Sequence, residues 1–528
     1  MKKISNLVFT KFYYIVLAFV FILALFLRAY RIATIPDVIE LDEASLGYNA
    51  WCIAHYGVDR YLNPLPIYPQ NEHGGQSPLY TYLVVFLIKT LGRGNVSLRL
   101  VRLPGLISSM LVVVFGVKCV SRVFENRRIT LMSALLLTVC PYFVMHGRFA
   151  LDCNLMLGCS TIAVYCLIRY IQSNRLKDLI VCGISFGVVL YSYALSYFVI
   201  PVFLCLTALY LLFTRKITLR RAVLWAICVC LTALPVLLFI CALLFQLPPF
   251  HFLGFTITPI ASDRMRDVAS ANFWSNVAHI VQITLTNGSY PLDAVDKFYT
   301  MYFISIPFIV IGIAASLYHT AASLKTRAFH HDAIFLIFYF SGLFAIGLSR
   351  AQHIYRANYF FLAYLYFLVS GITVVYRFVL SYRKYFICAL SVCYLIWCFS
   401  FFRYYFGQYS VAAINTYPNS LYFIPIQDAI EYAQSELNAE QLYIDYVDVD
   451  VYHSFYFPDS PYEVENTRHE DGYGKYHFIV NYYTPLQPGG AYIVRTDNQE
   501  FFMALGNSAL AWEAVDYPYY KLVYFPKD

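Results

Sequence analysis

The sequence predicts a polytopic α-helical membrane protein of about eleven transmembrane helices, followed by an extracytoplasmic α/β domain at the C-terminal end. Three observations predict it. The 528 residues are 60% hydrophobic and only 13% charged, with a mean hydropathy of +0.58, far from the soluble average. Apolar runs near the roughly 20 residues that a bilayer-spanning helix needs recur along the chain up to residue 402. From about Phe406 the composition turns polar and contains no further cysteine, although all 14 cysteines precede Arg403.

The first apolar run, 14–27, follows MKKISNLVFTK. No small-residue cleavage pattern comes after it, and Arg28 and Arg31 lead straight into an acidic segment, so it reads as an uncleaved helix. Further spans are expected at 104–121, 129–145, 154–171, 179–195, 197–213, 222–245, 299–318, 333–349, 357–376 and 385–402. One set of connections is short and basic: ENRRIT, SNRLKD, TRKITLRR, SLKTRAFHHD and YRFVLSYRK. The positive-inside rule assigns these and the N-terminal MKK to the cytoplasm. The expected division is a transmembrane domain over 1–403, with external loops at about 28–103 and 246–298, and a soluble domain over 404–528. In that tail, IPIQDAIEYAQSEL has amphipathic helical spacing, and QLYIDYV, YHFIVNYY and AYIVRT read as strands. Two cysteines, Cys52 and Cys153, fall near the outer face with no zinc-type spacing.

Charge is spent sparingly, so its placement is informative. Asp42 and Glu43 stand just past the first span, where ionisable groups are either solvated or functional. In a helix opening on LDEASLGYNAWCIAHY they point about 100° apart, and capping of that helix is the competing role for either. Asp152, in HGRFALDCN, is a second outer carboxylate, four residues from Arg148, so an intrahelical ion pair is as good a reading as substrate binding. The arginines Arg99, Arg102, Arg148, Arg264, Arg266, Arg350 and Arg356 lie on the side that the charge bias disfavours, which suggests a surface for anions. A snorkelling role competes for Arg99 and Arg102, and neutralisation by Asp263 and Asp267 competes for Arg264 and Arg266. In GGQSPLYTYL the glycines permit close backbone approach and Pro78 can open a helix. His353, Arg356 and Tyr359 recur every third residue, one face of a helix start. Tyr193 and Tyr197 have the character of interfacial-belt residues.

The DE pair after the first span, PLYTYL, RLPG at the second span and GRFALDCN after the third form an ordered set. It resembles the type C glycosyltransferases of the protein mannosyltransferase and aminoarabinose transferase kind, over residues 15–376. SRAQHIYRANYFFLAYLYFLVSGI is similar to the outer entry of a late span in bacterial members, and the tail matches theirs in position and size. The resemblance implies an inverting transfer of one sugar from a polyprenyl-phosphate donor to an acceptor on the outer face, without a nucleotide sugar. Such a displacement needs a carboxylate to take the acceptor's proton and cations to stabilise the leaving phosphate.

By the resemblance, Asp42 is the base, with Glu43 as runner-up, and Asp152 holds the acceptor or orients Arg148. Gln76, Ser77 and Tyr80 border the donor, with Gln76 where some relatives carry lysine. Arg99, Arg102, Arg264, Arg266 and Arg356 are the phosphate candidates, and Arg148, Tyr193, Tyr197, His353 and Tyr359 the other substrate contacts. No tightly bound cofactor is expected, and no divalent metal, because the second acidic cluster of the oligosaccharyl transferases is missing. The aspartates of VDVDV, residues 447–451, read as a strand, fall on one exposed face. Expected partners are the bilayer, a polyprenyl-phosphate sugar and a polysaccharide, lipid or protein acceptor, in a bacterial plasma membrane, with no nucleic acid. A lipid-linked sugar flippase or ion-coupled carrier is the alternative; the clustering of charge at one face and the lack of an inverted repeat weigh against it.

Overall fold

The computed structural model describes residues 2–36, 39–71, 74–260, 272–286, 294–295, 297–349, 353–409, 426–445 and 449–527. It divides into two compact units, one made of Met1–Ile32, Ile67–Leu83 and Arg102–Gly407, the other of Ala33–Pro66, Val84–Val101 and Gln408–Asp528.

The first unit is mostly helical. Among the described residues seven helices are long and apolar enough to cross a membrane, or up to nine if each of two bent pairs counts as one span. The seven include α1 (Lys2–Ala29), α4 (Leu98–Phe124), α7 (Asn154–Ser173) and α9 (Ser196–Phe213). Three later helices, Ser305–Thr326, Phe360–Phe378 and Leu380–Gly407, complete the set. Two further expected spans, at 179–195 and 333–349, are helices of 14 residues (α8, Leu176–Val189) and 16 residues (Asp332–Gly347). At about 1.5 Å per residue they measure roughly 21 and 24 Å, short of the about 30 Å of a hydrocarbon core.

Proline explains both bends. Helix α5 (Arg127–Val139) starts on Asn126, whose side chain accepts from the amides of Arg128 and Ile129. Pro141 has no N–H to continue the ladder, so the chain restarts as α6 (Pro141–Met145), bent by 66°. Pro235 has the same effect between α10 (Leu219–Thr232) and α11 (Leu234–Leu244), where the bend is 76°. Helices Ser305–Thr326 and Phe360–Phe378 pack closest, with Gly312 against the backbone of Phe367 and Gly371 against that of Phe308, the small-residue contact that replaces hydrophobic driving force in lipid. A short hairpin, β1 (Phe250–Phe252) with β2 (Phe255–Ile257), follows α11.

The second unit holds α2 (Leu41–Tyr56) and a seven-stranded mixed sheet. Its strands are β3 (Gln441–Ile444), β4 (Arg468–His469), β5 (Gly472–Tyr473), β6 (Tyr476–His477), β7 (Gly490–Arg495), β8 (Glu513–Tyr517) and β9 (Tyr520–Tyr524), in the order β4-β5-β6-β3-β7-β9-β8. Among the described residues only β3 pairs in parallel, with β6 and β7. Tyr443, Tyr492, Val494, Phe501 and Val523 form its core. The helix expected in the tail is present as Gln427–Ser435, while YHFIVNYY is extended in the sheet only at Tyr476–His477. The VDVDV run is not a strand where it is described: Val449–Tyr456 is a helix, with Asp450 exposed on it. Its hydrophobic positions Val449, Tyr452 and Phe455 are buried, a helical period that the alternation of aspartates had masked.

Candidate active site

In the second unit, helix α2 opens on three acids, Glu40, Asp42 and Glu43. Glu40 is its N-cap: its Oε2 accepts from the Asp42 amide at 2.6 Å, and Glu43 Oε2 accepts from the Glu40 amide at 3.2 Å, closing a capping box. Glu43 is fully buried and Asp42 half-buried. The competing role weighed for Glu43, the cap, is therefore the one its carboxylate has. Three acids within four residues make an expensive first turn, although the helix N-terminus favours negative charge. Burial, then Asp42, then Glu43 hold the Glu40 carboxyl well above its ordinary range. Behind this turn, Asn49 Oδ1 accepts from the Arg60 amide at 3.1 Å, the Arg60 guanidinium lies 4.9 Å over the Tyr48 ring, and the Tyr48 hydroxyl donates to the Asp459 carbonyl at 2.9 Å. Arg99 is exposed.

In the first unit three of the sequence motifs meet. Asp152 Oδ2 accepts from the Ser77 amide at 3.0 Å and from its hydroxyl at 2.6 Å, so the carboxylate pins the residue that precedes α3 (Pro78–Thr90). Gln76 and Tyr80 are buried beside it, and the Tyr80 hydroxyl accepts from the Gly105 amide at 3.1 Å. Gly105 and Gly147 let α4 reach this turn, since a Cβ at either would meet Phe149 O or the Ser109 side chain. Tyr197 interacts electrostatically with Asp152, Tyr68 and Tyr191, and its hydroxyl is buried without a hydrogen-bond partner. Tyr193 lies buried in the turn before α9.

The arginines divide by what surrounds them. Arg28, Arg102 and Arg148 are fully buried. Arg148 Nη1 donates to the carbonyls of Leu27 and Arg28 at 3.0 and 2.8 Å, and Nη2 to those of Tyr30 and Arg31 at 2.8 and 3.4 Å. It thereby satisfies the carbonyls that the end of α1 leaves without intrahelical partners. Arg148 closes a 3₁₀ turn and Asp152 lies in the turn before α7, so the helical geometry required for an i,i+4 pair between them is not formed. Arg28 Nη2 donates to Leu137 O and Phe143 O, both at 2.7 Å, and Nε to Ser109 Oγ at 2.6 Å. Leu137 O is the acceptor that the missing amide of Pro141 would have served. Arg102 Nη1 donates to Ile32 O at 2.8 Å and lies 5.4 Å over the Phe149 ring.

Late in the unit, a 3₁₀ turn at Ile354–Ala357 leads into helix Phe360–Phe378. Arg356 is half-buried. His353 stacks on Tyr355, and burial, then Arg356, then His279 pull it down to about 4, so it is neutral at physiological pH. Tyr359 is buried against Phe338, with a hydroxyl that has no hydrogen-bond partner. Asn358, fully buried, was not legible as a site residue; its Nδ2 donates to Cys153 O at 2.6 Å, tying this turn to the one that carries Asp152. Arg264, Arg266 and Arg350 lie outside the described residues. Two groups of described residues have metal-ligand composition, His319 with His330 and Asp332, and His469 with Asp471 and His477; neither includes Asp42 or Asp152.

Residues 75–239 match the dolichyl-phosphate-mannose-protein mannosyltransferase family. No curated protein matches the chain by sequence. ArnT from Cupriavidus metallidurans, solved bound to undecaprenyl phosphate, shares 12% identity with a TM-score of 0.52 over 98% of this chain and 97% of that one. The oligosaccharyltransferase of Archaeoglobus fulgidus in its apo form shares 12% identity with a TM-score of 0.52 over 84% of this chain. This chain covers only 63% of the archaeal protein's length. At these identities the likeness is one of fold.

Proposed function

We propose that this chain, whose family match and fold are those of type C membrane glycosyltransferases, moves a sugar from a polyprenyl-phosphate donor to a cell-envelope acceptor with inversion at the anomeric carbon. The observation that carries this reading is the division of labour at the start of α2. Glu40 and Glu43 complete the cap, and Asp42 is the half-buried member of the three.

Asp42 acts as the general base that takes the proton of the acceptor hydroxyl, a role worth about 10²–10⁴ in rate. Asp152, held by Ser77, positions the acceptor. Arg356 stabilises the leaving phosphate, and Arg264 and Arg266 are proposed to assist. Gln76, Tyr80, Tyr193, Tyr197, His353 and Tyr359 are proposed to line the donor and acceptor. ArnT, solved with undecaprenyl phosphate, supports a polyprenyl phosphate as the carrier. The basic connections support a cytoplasmic N-terminus, reaction on the outer face and a bacterial plasma membrane as the location.

The test compares lipids extracted from membranes that lack the protein, contain it, or contain Asp42→Asn, by mass spectrometry. A polyprenyl-phosphate sugar should accumulate in the null and in the variant alike, and its mass identifies the sugar. If the variant behaves as wild type and no such lipid builds up, Asp42 is not the base and the transfer reading fails.

A further inference from the structure

We propose that His469, Asp471 and His477 bind one divalent transition-metal ion of the zinc class. The site is built by strand register. His469 pairs with Gly472 across β4 and β5, and Gly472 pairs with His477 across β5 and β6. Residues directly opposite in a sheet share a face, so the two imidazoles flank a position that carries no side chain. Their ring centroids are 4.7 Å apart. Asp471, in the two-residue turn between β4 and β5, supplies one oxygen to each ring: Oδ1 lies 2.8 Å from His469 Nδ1 and Oδ2 lies 3.0 Å from His477 Nδ1.

Gln441 fixes the second ring: His477 Nε2 is 2.9 Å from Gln441 Oε1, which leaves Nδ1 as the nitrogen aimed at the carboxylate. Both rings thus present Nδ1 toward Asp471, the convergence of nitrogen and oxygen donors that a metal ion needs. Gln441 is also the outer-shell partner that metal-bound imidazoles usually have. The ligand atoms lie within 4.8 Å of one another, close enough to converge on an ion at about 2.0–2.2 Å. Two nitrogens and one oxygen favour zinc over magnesium or calcium. Side chains between 19% and 31% exposed admit water as the remaining ligand.

The second candidate is closed on itself. His319 and His330 both approach Asp332 Oδ2, Tyr366 donates to the other oxygen, and His330 Nδ1 already accepts from the Asp332 amide. It serves as the control.

The ion would clip together three strands of two residues each, too short to hold their register alone. From β5, the Tyr473 hydroxyl is 2.9 Å from His453 Nδ1, and His453 sits on helix Val449–Tyr456, which packs on α2. Zinc at the sheet edge therefore steadies the support of the helix that bears Asp42.

The untagged full-length chain in detergent, stripped with a chelator, is dialysed against zinc chloride; bound zinc is counted by mass spectrometry and thermal unfolding is followed in parallel. Wild type and His319→Ala/His330→Ala should retain one ion per chain and melt higher with zinc than without. His469→Ala/His477→Ala should lose both the ion and the shift, and so should Asp471→Asn, with unchanged circular dichroism. The proposal is overturned if wild type takes up no zinc, if Asp471→Asn retains it while folded, or if only the His319→Ala/His330→Ala variant loses it.

Discussion

The buried arginines of the first unit and the acids that open α2 in the second are both charges taken out of water, and they are stabilised in opposite ways. Arg28 and Arg148 meet helix-end and helix-break carbonyls, so each guanidinium is matched by acceptors that would otherwise be stranded. Glu40 and Glu43 accept from backbone amides of the cap, and Asp42 and Glu43 add to the cost of charging Glu40. The arginines are held by main-chain carbonyls, the acids by the amides of a helix N-terminus. Burial of charge alone therefore does not mark a catalytic group.

The largest expected effect tests the arginine side. Arg148→Ala should destabilise the fold by roughly 3 kcal/mol or more, since each buried carbonyl left unpaired costs about 1–3 kcal/mol. Thermal unfolding in detergent measures it; unchanged melting with weakened donor binding would move Arg148 to the substrate side of the comparison. Arg356→Ala should do the converse, weakening donor affinity about tenfold or more, the worth of one charge-assisted hydrogen bond at about 1.5–3 kcal/mol, without lowering the melting temperature. Equal loss of donor and acceptor affinity would assign it to structure.

The smallest effect sharpens the acid side. A carboxyl whose folded pKa is raised contributes stability below its ordinary value of 4.5, and that stability is lost as pH rises through the folded value. Glu40→Gln keeps the capping oxygen and removes the titration. It should match wild type below pH 4.5 and melt a few degrees higher at pH 8, about 2–4 °C per kcal/mol of relieved repulsion. No gap between the two at pH 8 would mean that the cap bears its charge without strain.

Much of the fold was legible because transfer into lipid is a local property of a segment. Runs such as 154–171 and 197–213 correspond to α7 and α9 within a residue or two. The short helices α8 and Asp332–Gly347 were read as full spans because apolar composition does not fix where a helix ends. At the site, the acid-x-x-Glu spacing of Glu40 and Glu43 is a capping signal, obscured in the sequence by Asp42 lying between them. Asn358 and the roles of Arg28 and Arg148 carried no local signal. The acceptors of these arginines include carbonyls 109 to 121 residues away, and the partner of Asn358 is 205 residues away. The zinc-type group was hidden for a related reason: its two histidines become neighbours only through the register of β4, β5 and β6.

The bond from Arg28 to Leu137 O also bears on biogenesis. A span broken by Pro141 enters hydrocarbon with a carbonyl that its own helix cannot serve. The group that serves it leaves the ribosome more than a hundred residues earlier, on α1. The first helix thus waits in the membrane as a template for a later one, and a chain deprived of it would insert the broken span with its polar gap open to lipid.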